Sequence, residues 1–211
     1  MTDLAEKKEP TDEEAMARFQ NGDVGAFDFL LHQHSAAILR FIMNMVTVNK
    51  SNAEDLLQEI FMKVIENRKK YDSNRKFTTW LYTMARNRCI DYLKAEKHRR
   101  YSSLDAPLNS ETSDGPVKLE IVRSKEKNQE EKMMNKEIRA ILNTGVENLK
   151  EEFREVFLLR EIESLSLKEI ADITNVPIGT VKSRLSYAYL NLREIFIQAG
   201  YFEEGQIAKG V

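Results

Sequence analysis

"EIADITNVPIGTVKSRL", residues 169–185, is the stretch whose reading decides the fold. Apolar residues recur at helical spacing on both sides of "TNVP", which is turn chemistry. Asn175 tolerates the left-handed backbone that glycine usually supplies. Pro177 presets the backbone entering a second helix. In that helix Val181, Leu185, Ala188, Leu192 and Ile195 follow spacings of 4, 3, 4 and 3, a single buried stripe. Ile170 and small Ala171 face the partner helix, and Ala171 permits close approach. Thr180, Lys182, Ser183, Ser186 and Tyr187 then point away from the core. Arg184 sits at the stripe's edge, where its long stem reaches outward. A helix–turn–helix with a Lys-Ser-Arg run on its second helix has the pattern of a major-groove reader. A helical hairpin with a merely solvated outer face shares the periodicity.

Composition pulls the other way. The 211 residues include 34 acidic and 32 basic ones, a formal charge of −2. The length suits one large domain or two small ones. With only 8 Gly and 4 Pro, and abundant Leu, Ile, Glu, Lys and Met, the chain favours helices. No apolar run approaches the ~20 residues needed to cross a membrane, and "MTDLAEKKEPTDEE" has no signal-peptide core. One cysteine, Cys89, rules out an internal disulfide and fits a reducing cytoplasm.

The acidic start is read as an N-terminal extension over 1–23, mobile at first. Thr11 with Glu14 makes a capping-box signature for a helix from Asp12 to about Asn21. Helical spacing runs from Val24 to Val46, and Ser51 with Glu54 is read as a second capping box. A basic, turn-rich loop follows, "KKYDSNRKF", and then a fourth helix from about Thr78 to Lys97. A first domain thus covers 24–100. Residues 101–132 are rich in Ser, Pro, Asn, Gly and acids and read as a flexible linker, with a weak signal for structure near Val117–Val122. About 30 residues form a coil of roughly 30 Å and, pulled straight, reach ~100 Å. A second domain covers 133–198, and 199–211 is a tail. The fold class is all-α, two small helical domains on a flexible linker.

Locally the charge problem dissolves. Arg86–Arg100 holds six basic residues against two acidic ones, and Arg68–Lys76 five against one. Such islands track phosphates while acids elsewhere cancel the total. Tyr71, Phe77, Trp80, Tyr82 and Tyr92 interleave with them, which points to nucleic acid rather than a solvated face. Trp80 suits core packing equally well. On the helix after Ser51, Asp55, Gln58, Glu59 and Met62 share a face away from the apolar stripe. His32 and His34 stand two apart on a helix and diverge, and no zinc spacing, phosphate loop or Ser/His/Asp signature occurs. Neither a metal, a cofactor nor an enzyme active site is expected.

"LKEEFREVFLLREIESLSLKEIADITNVPIGTVKSRLSYAYLNLREIF" resembles region 4 of bacterial sigma-70-family factors of the extracytoplasmic-function (ECF) group. "SNAEDLLQEIFMKVIE" resembles region 2.2, and "FTTWLYTMARNRCIDYLKAEKHRR" regions 2.3–2.4. The two blocks, roughly 27–100 and 135–196, keep the family's order and cover about two-thirds of the chain. Ser164 and Asn175 depart from the glycines of many relatives, and Thr83 and Met84 stand where primary sigma factors carry a tryptophan pair.

The resemblance implies a bacterial, cytoplasmic sigma factor that binds core RNA polymerase and promoter DNA, with an anti-sigma factor as a further partner. It places Thr180, Lys182, Ser183, Arg184 and Tyr187 on the −35 element, through a region 4 that also meets the β flap. It gives Arg86 and Asn87 the upstream edge of the −10 element. The loop Lys69–Phe77 would capture a flipped-out base, with Asn74 as polar reader, Lys70 and Arg75 as cations, and Tyr71, Phe77 or Trp80 as walls. Asp55, Gln58, Glu59 and Met62 would meet the β′ clamp helices. Two alternatives remain at this point. One is a conventional helix-turn-helix regulator acting on a palindromic operator without polymerase. The other is an adaptor that sequesters an anti-sigma factor, which would tolerate loss of Lys182 and Arg184.

Overall fold

Thr11 and Glu14 exchange hydrogen bonds: the Thr11 hydroxyl accepts from the Glu14 amide, and the Glu14 carboxylate accepts from the Thr11 amide. This capping box opens α1 (Asp12–Gln20) as the sequence predicts. The structure, a computed structural model, describes residues 9–102 and 129–201. Asp23 caps α2 (Val24–Val46) by accepting from the Ala26 amide. The expected Ser51–Glu54 box does not form. Asn49 is the cap of α3 (Lys50–Asn67), accepting from the Asn52 amide. With the helix already under way at Lys50, Glu54 pairs instead with Lys50 at 3.5 Å. A 3₁₀ turn over Arg68–Lys70 and a short loop lead into α4 (Phe77–Ser102), which outruns the predicted 78–97 at both ends.

The second half begins with α5 (Gln129–Asn148) and α6 (Glu151–Phe157), whose end widens into a π turn over Leu158–Ile162. α7 (Leu167–Thr174) and α8 (Ile178–Gln198) complete the order, and no strand occurs among the described residues. The helical fold class therefore stands. Most of the predicted linker (103–128), the weak signal at Val117–Val122, the start (1–8) and most of the tail (202–211) lie outside the described residues.

α1 to α4 bury Met16, Leu30, Ile38, Phe41, Ile60, Phe77 and Leu81 completely, each worth roughly 1.5–3 kcal/mol of transfer free energy. α8 buries Val181, Leu185, Ala188 and Leu192 against α5, α6 and α7, while Ile195 is half-buried. Ser164 and Asn175 both adopt φ +55°, so each non-glycine residue carries the left-handed turn its position requires. Ser166 caps α7 through a capping box with Glu169.

The two bundles are packed together. α7 lies on α4, and α6 with the π turn lies on α2. Buried Arg154 links them by one guanidinium. It donates to the carbonyls of Val146, Glu147 and Leu149 at the end of α5, and to the Met45 carbonyl and Thr47 hydroxyl at the end of α2. Helix C-termini leave carbonyls unsatisfied, and here one side chain serves two of them.

Candidate nucleic-acid and polymerase interfaces

The turn before α8 aims one face of that helix at solvent. Lys182, Ser183 and Tyr187 are exposed and Thr180 is half-exposed. The Ser183 hydroxyl donates back to the Thr180 carbonyl. The Tyr187 ring stacks on Phe153, with centroids 5.5 Å apart and planes 19° from parallel. Arg184 does not extend into solvent; it is drawn to Glu152 of α6 at 3.0 Å. Four of the five predicted contacts thus share one accessible face, and the fifth is spent inside its own bundle.

The loop between α3 and α4 is built on Asp72. Its carboxylate accepts from the backbone and side-chain amides of Asn74 at 3.0 and 2.9 Å, which holds the Asp72 carboxyl below its usual range. Lys70, Asn74 and Arg75 are exposed. Beneath them Tyr71, Phe77 and Trp80 form an aromatic cluster, with centroids 5.2 to 6.1 Å apart. Phe77 is wholly buried and Tyr71 nearly so, whereas Trp80 is half-buried. The expectation of Phe77 and Tyr71 as open pocket walls is corrected to this extent: they pack under the loop, and Tyr71 donates its hydroxyl to the Arg75 carbonyl. Burial pushes the Tyr71 phenol up to about 12, so it remains a donor.

Arg86 lies in an ion pair between the bundles. Its guanidinium bonds to Glu155 of α6, whose side chain is 3% exposed, and reaches the Asn87 side-chain oxygen at 3.3 Å. Asn87 itself is exposed. Four further contacts cross the same seam. Glu163 accepts from the Tyr82 hydroxyl and lies 3.5 Å from Arg40. Lys76 of the loop meets Glu169 of α7 at 2.8 Å, and Lys97 pairs with Glu151. Burial pushes the Glu155 and Glu163 carboxyls up, against the pull of their arginine and tyrosine partners. Burial also works on Glu169, but Lys76 and the Ser166 cap outweigh it and hold that carboxyl down at about 2.

These acids, which pair across the two bundles, are the residues that sequence reasoning missed. A signal existed in "FREVFLL", where Arg154 and Glu155 interrupt an apolar run on a helix too short to expose them. The π turn then sets Glu163 toward α2 and α4; such turns mark functional sites often enough to merit inspection.

On α3, Asp55, Gln58, Glu59 and Met62 line a shallow groove together with Lys63 and Glu66. All four predicted residues are exposed, and Met62 is 55% exposed, unusual for so apolar a side chain. Glu59 is also anchored from α4: Arg88 donates to it at 3.0 Å and holds its carboxyl below the usual range. Cys89, next along α4, is fully buried with its thiol pushed up to about 12 by burial, as suits a packing residue. Among the described residues no helix is long and apolar enough to cross a membrane.

Comparison with known proteins matches these faces to one family. Residues 30–99 match Sigma-70 region 2 and residues 139–192 match Sigma-70, region 4. The chain is 32% identical to RNA polymerase sigma-H factor of Pseudomonas aeruginosa over 174 residues, 82% of this chain and 88% of that one. It is 31% identical to ECF RNA polymerase sigma-E factor of Escherichia coli K12 over 175 residues, 83% and 88% of the two chains. Among solved structures, CnrH in complex with the cytosolic domain of CnrY shares the fold at a TM-score of 0.64 and 18% identity, covering 90% of this chain and 99% of that one. The sigma factor RpoE of Bartonella quintana, solved with the anti-sigma factor NepR, does so at 0.58 and 23%, covering 81% and 96%. The relatives are named as sigma factors, not enzymes.

Proposed function

Since the chain belongs to the extracytoplasmic-function group of the sigma-70 family, we propose that it directs core RNA polymerase to promoters through three separate faces and that the free chain is held shut. The α3 groove is the polymerase face, docking on the β′ clamp helices through Asp55, Gln58, Glu59 and Met62, and region 4 meets the β flap. The exposed face of α8 reads the −35 element through Thr180, Lys182, Ser183 and Tyr187, with Arg184 joining once it leaves Glu152. Arg86 and Asn87 take the upstream edge of the −10 element. Asn74, with Lys70 and Arg75 beside it and Trp80 behind, receives the flipped base; extrusion costs a few kcal/mol, offset by pocket contacts. Region 2 spans 24–100 in this reading, with the linker, region 4 and the tail following as the sequence divides them. The site of action is the bacterial cytoplasm, and an anti-sigma factor is a further partner, as in the Bartonella complex.

One observation supports the closed free state. The −35 face is open, but Arg86 of the −10 face and Lys76 of the capture loop are both occupied by carboxylates of the other bundle. Glu155 and Glu169 stand where DNA would put its negative charge. This explains how a net-acidic chain can carry two DNA-reading surfaces. Alone it offers DNA the −35 face and a −10 face without Arg86 and Lys76, with a small basic footprint and strong salt sensitivity. Polymerase separates the bundles and holds both in register, and each face then acts at the raised effective concentration of a linked site. The −35 and −10 elements lie two helical turns apart, roughly 70 Å, a span the stretched linker can cover.

The test is transcription from a randomised promoter library by purified bacterial core RNA polymerase, with and without the chain. Chain-dependent initiation at a shared pair of spaced elements is expected. Tight operator binding by the chain alone, with no stimulation of polymerase, would favour the conventional regulator.

A further inference from the structure

α1 lies ahead of the residues that match the family's region 2, which begin at residue 30. Its apolar side, with Ala15, Met16 and Phe19 buried, belongs to the core. Its polar residues do something more particular. The Gln20 side-chain amide spends both donors on backbone at the entry to the capture loop, at the Arg68 carbonyl just before it (2.8 Å) and the Tyr71 carbonyl within it (3.0 Å). At the loop's other end the Glu13 carboxylate accepts from the Phe77 amide at 3.0 Å, capping the first residue of α4 from a different helix. Glu13 and Gln20 are seven residues apart, two turns and about 10 Å along one face of α1. One rigid helix therefore grips both ends of the loop.

We propose that Gln20 and Glu13 are positioning residues for the capture of the melted strand, so that α1 is part of the promoter-opening machinery. The inference rests on the assignment of the Lys69–Phe77 loop to the flipped base. The physical case is one of precision. The loop is short and polar and its upper side chains are exposed, so its own polar contacts are few and local: those of Asp72, the Tyr71 hydroxyl and amide, and Lys70 with Asn67. Left to these, its two ends could separate or twist, and a base pocket loses selectivity when its supporting shell is loose. Gln20 fixes the entry by two bonds to backbone rather than side chain, which makes the restraint independent of the loop's sequence. Glu13 fixes the exit and places negative charge at the N-terminus of α4, where the helix dipole favours it. Neither residue touches the base, so their loss should alter which base is preferred without altering affinity for polymerase.

The experiment uses the full chain with bacterial core RNA polymerase on a promoter library randomised across the −10 element, with transcripts sequenced. Gln20→Met keeps volume and removes both donors, Glu13→Met removes the acceptor, and Glu13→Gln restores one. The preference at the flipped-base position should flatten about tenfold in both methionine variants, the scale of one lost discriminating contact. Glu13→Gln should recover it. Preference at the −35 element and core binding should hold throughout. Unchanged base preference in both methionine variants would overturn the inference. So would a parallel fall at every position together with core binding, since that is the signature of packing alone. Asn74→Ala is measured alongside. If it leaves the preference intact, the loop assignment itself fails and takes the inference with it; if it flattens the preference while Gln20→Met and Glu13→Met do not, only the brace is wrong.

Discussion

The guanidinium of Arg86 in α4 is bound by the buried carboxylate of Glu155 in α6, so the two bundles are joined through the residue proposed to meet the −10 element. A partly buried pair of this kind contributes little to net stability, but removing one member leaves the other uncompensated, at about 3–5 kcal/mol. The seam is therefore sensitive to loss of either member and weak against a partner that offers Arg86 a new anion.

Glu155→Ala, which removes the acceptor altogether, should loosen the seam and free Arg86. Binding of the isolated chain to a single-stranded −10 oligonucleotide should tighten, by about tenfold if 1.4 kcal/mol of the pairing is lost. Fluorescence anisotropy at fixed salt checks this. Unaltered or weaker binding, with the variant still folded by circular dichroism, would contradict it.

Closing should take up protons. Burial holds the Glu155 and Glu163 carboxyls above their ordinary range, with Arg86, Arg184 and Glu152 acting on the first and Tyr82 and Arg40 on the second. The closed form thus gains stability as pH falls through those raised values toward the ordinary carboxylate range, and loses it as pH rises through them. Glu169, held down at about 2, works in the opposite sense: its pairing with Lys76 is complete above the ordinary carboxylate range and disappears as pH falls toward 2. The closed population should rise in small-angle scattering as pH is lowered toward the ordinary carboxylate range, and the rise should be blunted in a Glu155→Gln/Glu163→Gln double variant.

Arg154→Met should lower stability by about 3–5 kcal/mol, because a buried guanidinium that satisfies the carbonyls of two helix ends would leave them unpaired. Thermal unfolding monitored by circular dichroism checks the size. A change under about 1 kcal/mol would mean that water replaces the arginine without loss.

Lys182→Ala should weaken −35 binding evenly across sequences and lower the salt slope by about one. Asp55→Ala with Gln58→Ala should abolish competition for core polymerase while leaving the unfolding temperature unchanged, since both side chains are exposed.

Much of this was legible in the sequence. Helix periods, the Thr11–Glu14 box, the Asn175 turn and the α8 stripe are set by neighbours within a few residues, and local chemistry suffices to read them. Ser51–Glu54 was misread because Asn49, two residues earlier, is as good a cap and took the helix start first. Phe77 and Tyr71 looked like pocket walls because an aromatic beside a basic loop has the same spacing whether it faces DNA or the core. The seam was not legible. Arg86 and Glu155 are 69 residues apart, and nothing local couples a basic residue on one helix to an acid on another. Gln20 and Glu13 stayed hidden for the same reason: their partners are backbone groups, which leave no mark in a sequence.

The most direct test of the account is the distance between the two halves of the free chain and of the chain on polymerase. Val24 and Leu190 are exposed, at 68% and 51%, and Cys89 is buried, so Val24→Cys and Leu190→Cys can be labelled selectively for single-molecule energy transfer. A single high-transfer population should mark the free chain, and core RNA polymerase should move it to low transfer as the halves separate toward roughly 70 Å. A free chain already at low transfer, or one that keeps high transfer on polymerase, would contradict the claim that polymerase opens a closed sigma factor.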